Sequence, residues 1–487
     1  MEISDLLVNL YDKKTIVEIE QLATTKFNIS NAELIQKAAK ASVEQLLEDF
    51  PKAQKFIIFC GLGKNASDGV CIGGQLQALG KSVQIIKADD WKEDLPIEAD
   101  VIVDALFGIG INRDLVGVWK QIVEKINSSK IPVLSVDIPS GVDPDTGKIL
   151  GTAVKAKVTM TFIGLKKGLF TGKAKSYVGK VKLNNLGIPL DAYQDASYSA
   201  IRSTKKDFVN LLLPREAAAH KGDFGKLVII GGQDGMSGAA LLAGKAALRS
   251  GVGMVYVLAN SKQQHIATSS CLEIQVQNFS GAKQFKELLA KATVLLVGPG
   301  LGTDRNARAL FDKAMQSDLP LVLDADGLNI LADVFDKDFK IKNNWILTPH
   351  SKEAARLLQT DVDTIENNRF AAVEQLSKKY KATVVLKGAG TLIKAYQAGN
   401  KNQSNNPIYL CDLGNPGMAT AGMGDMLAGI IAALIAQKLS LKDACNLGTF
   451  VHALSGDVAA ADGQRGIVAS DLLLFIKKIV NTICESR

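Results

Sequence analysis

The chain has 487 residues, 47% of them hydrophobic and 22% charged, which is globular composition and too long for one ordinary core. Its net charge of +7, from 57 basic against 50 acidic residues, is small for this length, and no dense Lys/Arg block with interleaved aromatics occurs, so nucleic-acid binding is not expected. Six scattered cysteines without a CxxC pair and four widely spaced histidines argue against a disulfide framework and a zinc site.

The N-terminal MEISDLLVNLYDKK lacks the basic start and apolar core of a signal peptide. The apolar run Met426 to Ala436 is too short to span a bilayer and reads as a buried helix. A soluble, cytoplasmic protein is expected.

A helical pattern over Ala32 to Glu48 precedes the first apolar β-branched run, KFIIFC (Lys55 to Cys60). SVQIIKA, DVIVDAL (Asp100 to Leu106), PVLSVD (Pro132 to Asp137) and KVTMTFIG follow, with helical patterns between them. Continuous apolar strands alternating with helices predict a parallel sheet covered on both faces. The mixed, polar stretch from Asp191 to Arg215 breaks the rhythm and reads as a linker. Alternation then restarts with KLVIIGG (Lys226 to Gly232), GMVYVLA, TVLLVGPG, PLVLDAD, WILTPH and ATVVLKG, and closes in a long helical tail from Met423. The expected architecture is α/β in two domains, residues 1–205 and 206–487. The first is a Rossmann-like parallel-sheet domain.

Open α/β sheets bind ligands where strands end and loops gather. In the first block three loops do so: GLGKNASDG after Cys60, DALFGIGINRD from Asp104, and DIPSGVD from Asp137. Glycines let backbone amides approach an anion closely, and a following helix start adds partial positive charge. Asn65, Asp104 and Ser140 offer hard oxygen ligands suited to an alkali or alkaline-earth cation. Any one such loop could be a tight turn; three on sequential strands are harder to explain that way.

Together these loops resemble the NAD(P)H-hydrate epimerase domain, the YjeF N-terminal type, whose loops read GxGNNGGDG, VDAxxGxG and VDIPSG. The tail TFIGLKKGLFTGKAKSYVGKV is also similar. The resemblance implies that Lys64, Asn65, Ala66, Ser67 and Asp68, with Gly108, Ile109, Gly110, Ile111, Asn112, Arg113 and Asp114, line a hydrated-nucleotide site. It further implies that Asp137 contacts the substrate and that Asn65, Asp104 and Ser140 hold K⁺. The first loop departs from the pattern: Lys64 replaces Asn, and Ala66 and Ser67 replace two glycines. Where the backbone needs positive φ or close ligand approach, such a Cβ costs on the order of 1 kcal/mol or more.

The second block carries HKGDFGKLVIIGG (His220 to Gly232), GPGLG (Gly298 to Gly302), DADGLN (Asp324 to Asn329), TPHSKE (Thr348 to Glu353), KGAGT (Lys387 to Thr391) and GNPGMATAGMGDMLAG (Gly414 to Gly429). In the last, Gly422 and Gly424 free the backbone where a helix begins, forming an anion hole for phosphate. Asp425 sits in that first turn, placed to act as a general base on a hydroxyl. Alone it would read as an ordinary acidic helix start; the flanking glycines and KGAGT favour the catalytic reading.

This constellation resembles the ribokinase-like superfamily and, within it, the NAD(P)H-hydrate dehydratases, from about Pro214 to the C-terminus. The resemblance implies that Lys387, Gly388, Ala389, Gly390, Thr391 and Gly424 contact an adenine nucleotide, ADP or ATP. It implies that Ala239, Gly300, His350 and Asp425 contact the hydrated substrate. Mg²⁺ is expected from the phosphate chemistry, with no ligand set named, and a homo-oligomer is expected by resemblance. His452, mid-helix in an apolar pattern, reads as core. A kinase for a small hydroxylated metabolite, with a first domain that only binds or scaffolds, stays open as the alternative.

Overall fold

The computed structural model describes residues 3–92, 94, 96–259, 271–278, 282–397 and 406–484. The chain divides into two compact units: Met1–Arg202 with Glu366–Asn368, and Ser203–Ile365 with Arg369–Arg487.

The first unit contains strands β1 (Asn9–Tyr11), β2 (Lys55–Cys60), β3 (Ser82–Lys87), β4 (Val101–Ala105), β5 (Val133–Val136), β6 (Val158–Phe162), β7 (Leu165–Lys166), β8 (Lys180–Asn184) and β9 (Ala200–Arg202). A fully parallel sheet runs in the order β3-β2-β4-β5-β6-β8. Apart from Lys55, the strands β2, β4, β5 and β6 are buried throughout and mainly apolar, because helices cover the sheet. The long helix Asn31–Asp49 opens on a capping box in which Ser30 and Glu33 exchange hydrogen bonds.

Sequence reading missed the small ribbon in which β1 pairs parallel with β7 and antiparallel with β9. β9 lies in the stretch expected to be a linker. That segment is ordered through burial: Tyr193 is fully buried and its hydroxyl donates to the Ile163 carbonyl, while Phe208 packs in the core of the second unit. Its polar composition masked these few anchoring side chains.

The second unit contains β10 (Lys226–Ile230), β11 (Met254–Ala259), β12 (Ile274–Asn278), β13 (Val294–Val297), β14 (Leu321–Leu323), β15 (Trp345–Leu347), β16 (Thr383–Leu386), β17 (Thr391–Lys394) and β18 (Ile408–Cys411). β12-β11-β10-β13-β14-β15-β16 is parallel, and β17 and β18 continue it as an antiparallel hairpin. The C-terminal tail forms three helices, Met423–Ala436, Leu441–Ala459 and Leu472–Cys484. The first is apolar all round and almost wholly buried, as its composition predicts. Among the described residues no helix is long and apolar enough to cross a membrane.

Both parallel sheets have a switch point, where successive strands depart in opposite directions: between β2 and β4 in the first unit, and between β10 and β13 in the second. Loops leaving such a pair of strands diverge and open a crevice at the carboxyl ends.

Candidate active sites

At the first switch point the loops after β2 and β4 cross at the backbone. The Gly61 amide donates to the Ala105 carbonyl, and a Cβ on Gly61 would sit 1.9 Å from the Leu106 oxygen. Immediately beyond, Lys64–Ala78 forms a helix. Lys64, Ala66 and Ser67 therefore have ordinary helical backbone, with none at positive φ. The cost of a Cβ at positive φ therefore does not arise at these positions.

Asn65 and Asp68 share one face of this helix, three residues apart. Asn65 is buried with its Nδ2 unpartnered, and its amide oxygen lies 3.6 Å from where a Gly108 Cβ would be. Asp137 Oδ2 is 3.3 Å from the same point, so Asn65, Gly108 and Asp137 enclose one small space. Asp137 holds φ +68°, a strained conformation for a non-glycine residue and one that often accompanies function. Burial pushes the Asp68 carboxyl up to about 8; the charges of Asp137 and Glu20 add to this and Lys64 opposes it. Lys64 itself pairs with Glu20 at 2.8 Å.

Asp104 is fully buried at the end of β4. It accepts from the Ser140 hydroxyl (2.6 Å), the Ser140 amide (2.9 Å), the Ser135 hydroxyl (2.8 Å) and the Leu106 amide (3.3 Å). Burial raises its pKa, and no ion-pair partner is found for it among the described residues. The turn 108–114 keeps Ile111 buried and closes by an Ile111 amide bond to the Gly108 carbonyl.

Lys166 escaped the sequence reading of the site. Its ammonium is 1% exposed and lies 2.5 Å from Asp137 Oδ1, 3.0 Å from Thr161 Oγ1 and 2.7 Å from the Phe162 carbonyl. The available signal was a lysine four residues past the end of β6, in the TFIGLKK tail.

At the second switch point the crossing recurs. The Gly232 amide donates to the Pro299 carbonyl, the Gln233 amide to the Gly300 carbonyl, and a Gly231 Cβ would lie 2.2 Å from the Pro299 oxygen. This brings Ala239, in the first turn of the helix Ser237–Arg249, to 3.3 Å from the Cβ position of Gly300. The HKGDFG segment precedes β10 and bonds to the start of β11. It therefore lies at the opposite edge of the sheet from these loops.

The loops of β14, β15 and β16 converge on Lys387. Its ammonium is 2.6 Å from Asp324 Oδ1, 3.8 Å from Glu353 Oε2, and 3.1 Å from where a Gly424 Cβ would be. Burial opposes its charge, but the Asp324 and Glu353 carboxylates outweigh that and hold it protonated. The neighbouring loop is fixed by the buried Arg369, which donates to the Leu386 and Lys387 carbonyls and packs against Gly388. Thr391 Oγ1 donates to the Gly388 carbonyl.

Asp425 lies in the first turn of the helix Met423–Ala436, after Gly422 at φ +88°. Burial pushes its carboxyl up to about 6; Asp324 adds to this, while Lys387 opposes it. His350 caps the helix Ser351–Leu358 by accepting the Lys352 and Glu353 amides on Nδ1, and Glu353 returns the bond to the His350 amide. Burial, then the Lys387 charge, lowers the pKa of His350 and keeps the ring neutral. His452 is buried, with Nε2 unpartnered. Sequence reading missed Asp324 and Glu353 as members of the cluster, although DADGLN and TPHSKE had been noted.

Gly424→Ala is a direct test of this packing. Alanine within a helix gains up to about 1 kcal/mol over glycine, so the melting temperature should not fall. The new methyl would press the Lys387 ammonium back by a few tenths of an ångström, which should slow nucleotide-dependent turnover by about tenfold in a steady-state assay.

A ribokinase-like unit with an acid at a glycine-rich helix start, preceded by a Rossmann-like unit with its own acidic crevice, defines a two-domain α/β enzyme. Residues 227–478 match the family described as NAD(P)H-hydrate dehydratase, and residues 31–90 and 84–168 match the YjeF-related protein N-terminus. The bifunctional NAD(P)H-hydrate repair enzyme Nnr of Coxiella burnetii is 38% identical over 97% of this chain and 99% of its own length. Among solved structures, a ribokinase-like superfamily protein from Enterococcus faecalis aligns with TM-score 0.52 at 26% identity, over 58% of this chain and 96% of its own. The ADP/ATP-dependent NAD(P)H-hydrate dehydratase of Bacillus subtilis, co-crystallised with ATP/Mg²⁺, shares the fold at TM-score 0.50 and 23% identity, over 57% of this chain and 97% of its own. The chain belongs to the bifunctional NAD(P)H-hydrate repair enzymes, with an epimerase half followed by a dehydratase half.

Proposed function

We propose that the second unit restores hydrated NADH and NADPH by phosphorylating the extra ring hydroxyl with ADP or ATP and then eliminating phosphate, and that the first unit interconverts the R and S hydrates. The observation that carries the dehydratase assignment is the Asp425 carboxylate, set in the first turn of the helix Met423–Ala436 beside the Lys387 ammonium. Asp425 takes the hydroxyl proton as the oxygen attacks the terminal phosphoryl group, and the helix-start amides neutralise charge on that group. The carbon–oxygen bond then breaks with phosphate as leaving group, a proton leaves the adjacent carbon, and the reduced ring is restored. Ala239, Gly300 and His350 face the hydrated substrate; Lys387, Gly388, Ala389, Gly390, Thr391 and Gly424 face the nucleotide. For Mg²⁺, no three carboxylate, histidine or cysteine side chains among the described residues converge as a cage, and an ammonium occupies the centre of the carboxylate cluster.

In the first unit burial pushes the Asp68 carboxyl up to about 8, while its neighbour Asp137 is paired with the Lys166 ammonium at 2.5 Å. Asp137, paired with Lys166, serves as the base on the substrate hydroxyl, and Asp68 serves as the acid. The residues Lys64, Asn65, Ala66, Ser67, Asp68 and 108–114 line the site. Asn65, Asp104 and Ser140 suit K⁺: a buried carboxylate with no basic partner among the described residues, a hydroxyl upon it, and a buried amide that presents its oxygen when turned over. The cation would supply fixed positive charge beneath the three loops. The chain's partners in this reading are small molecules in the cytoplasm and further copies of itself.

The test is incubation of purified protein with mixed R and S hydrated NADH and ADP or ATP, following NADH absorbance and both epimers by chromatography against a no-enzyme control. Complete recovery faster than that control supports both activities. Recovery stalling once the S form is consumed rejects the epimerase. A stable phosphorylated product with no NADH supports a small-metabolite kinase instead.

The two sites should also answer pH oppositely. The base Asp425 must be ionised, so dehydration should fall as pH drops below about 6. The acid Asp68 must be protonated, so epimerisation should fall as pH rises above about 8. Separate pH–rate profiles for the two reactions check both limbs; a shared profile would contradict the assignment.

A further inference from the structure

The helix-start amides and Asp425 account for one side of a phosphoryl group in flight. Facing them is a cation whose placement is over-determined. Lys387 puts its ammonium 3.1 Å from where a Gly424 Cβ would be, against the same helical turn. One of its hydrogens is taken by Asp324 Oδ1 at 2.6 Å. Asp324 is itself 1% exposed and held by the Thr348 hydroxyl at 2.8 Å, and its amide donates to the Val297 carbonyl. Arg369 pins the Lys387 carbonyl from the other side, fixing the base of the side chain. A lysine needed only to grip the nucleotide would gain nothing from being drawn this tightly onto a buried carboxylate. A lysine that must stand still at the point of transfer would.

We propose that Lys387 is a catalytic residue that donates to the transferring phosphoryl group, and that Asp324 is its positioning residue. The inference rests on the dehydratase reading above. In the transfer step the substrate oxygen forms its bond to phosphorus, the bond to the nucleotide's bridging oxygen breaks, and the hydroxyl proton goes to Asp425. The Lys387 ammonium keeps its proton throughout and meets the charge on the phosphoryl oxygens, a preorganised contact of the kind whose loss costs about 10²–10³ in kcat.

The experiment uses the full-length chain, S-hydrated NADH and ADP or ATP, with Asp324→Asn, Lys387→Met and the double variant. Turnover, the nucleotide KM and the melting temperature are measured on each. Lys387→Met strands the Asp324 carboxylate and Asp324→Asn leaves Lys387 with Glu353 at 3.8 Å as its remaining close carboxylate, so both should lower the melting temperature, and the double variant should recover part of the loss. If the proposal holds, kcat falls about a hundredfold or more in Lys387→Met and in the refolded double variant, with nucleotide KM changed less than about threefold. Recovery of kcat along with stability in the double variant would show the pair to be merely structural and overturn the proposal. A rise in nucleotide KM with kcat intact would overturn it in favour of nucleotide grip. A wild-type chain without turnover rejects the dehydratase reading itself, and the proposal with it, so the two failures are distinguishable.

Discussion

Asp425→Asn should abolish recovery of NADH from the hydrate while the R and S forms still interconvert. The substitution keeps the shape of the side chain and its place in the first turn of the helix Met423–Ala436, but removes the only group there able to take the hydroxyl proton. General-base catalysis contributes about 10²–10⁴-fold, so dehydration should fall by at least a hundredfold. Stability should not suffer. The native carboxyl is raised to about 6 by burial and by Asp324, so removing its charge relieves repulsion within the cluster. Absorbance recovery reads the first effect and epimer chromatography the second. Dehydration persisting within tenfold of wild type would move the base elsewhere.

Lys166→Met carries the largest expected cost to stability. The ammonium is 1% exposed, and its removal leaves the Asp137 carboxylate partly buried without its partner. Breaking a buried pair by deleting one member costs about 3–5 kcal/mol. Epimerisation should be lost with it, because Asp137 sits at φ +68° and depends on that ammonium for its position. The second unit has its own core, so nucleotide-dependent conversion of the S hydrate should continue below the melting temperature of the damaged half. Calorimetry and the two-epimer assay together decide it. Unchanged epimerisation would show the pair to be architectural.

The parallel strands were legible because a strand buried on both faces leaves an uninterrupted apolar run, as in KFIIFC and KLVIIGG. The site loops were legible because each follows such a run and is rich in glycine. Three things were not. The ribbon of β1, β7 and β9 uses strands of two or three residues, too short to show a period. Lys166 and Asp324 act through partners 29 and 63 residues away, distances that local spacing does not report. The altered loop was misleading in a different way: glycines in a motif suggest special backbone, whereas residues 64–67 are plain helix and accept side chains.

That last contrast follows from where the rigidity resides. In both crevices positions that admit no side chain, Gly61, Gly231 and Gly298 among them, lie where one strand's exit passes under the next, and the contact is main chain against main chain. Chemistry-bearing residues project from beyond that crossing. A lineage can therefore edit the lip of either crevice, as at Lys64, Ala66 and Ser67, without moving the jig that aims it. Drift in substrate preference should accumulate at those outer positions first, and loss of activity should trace to the crossings.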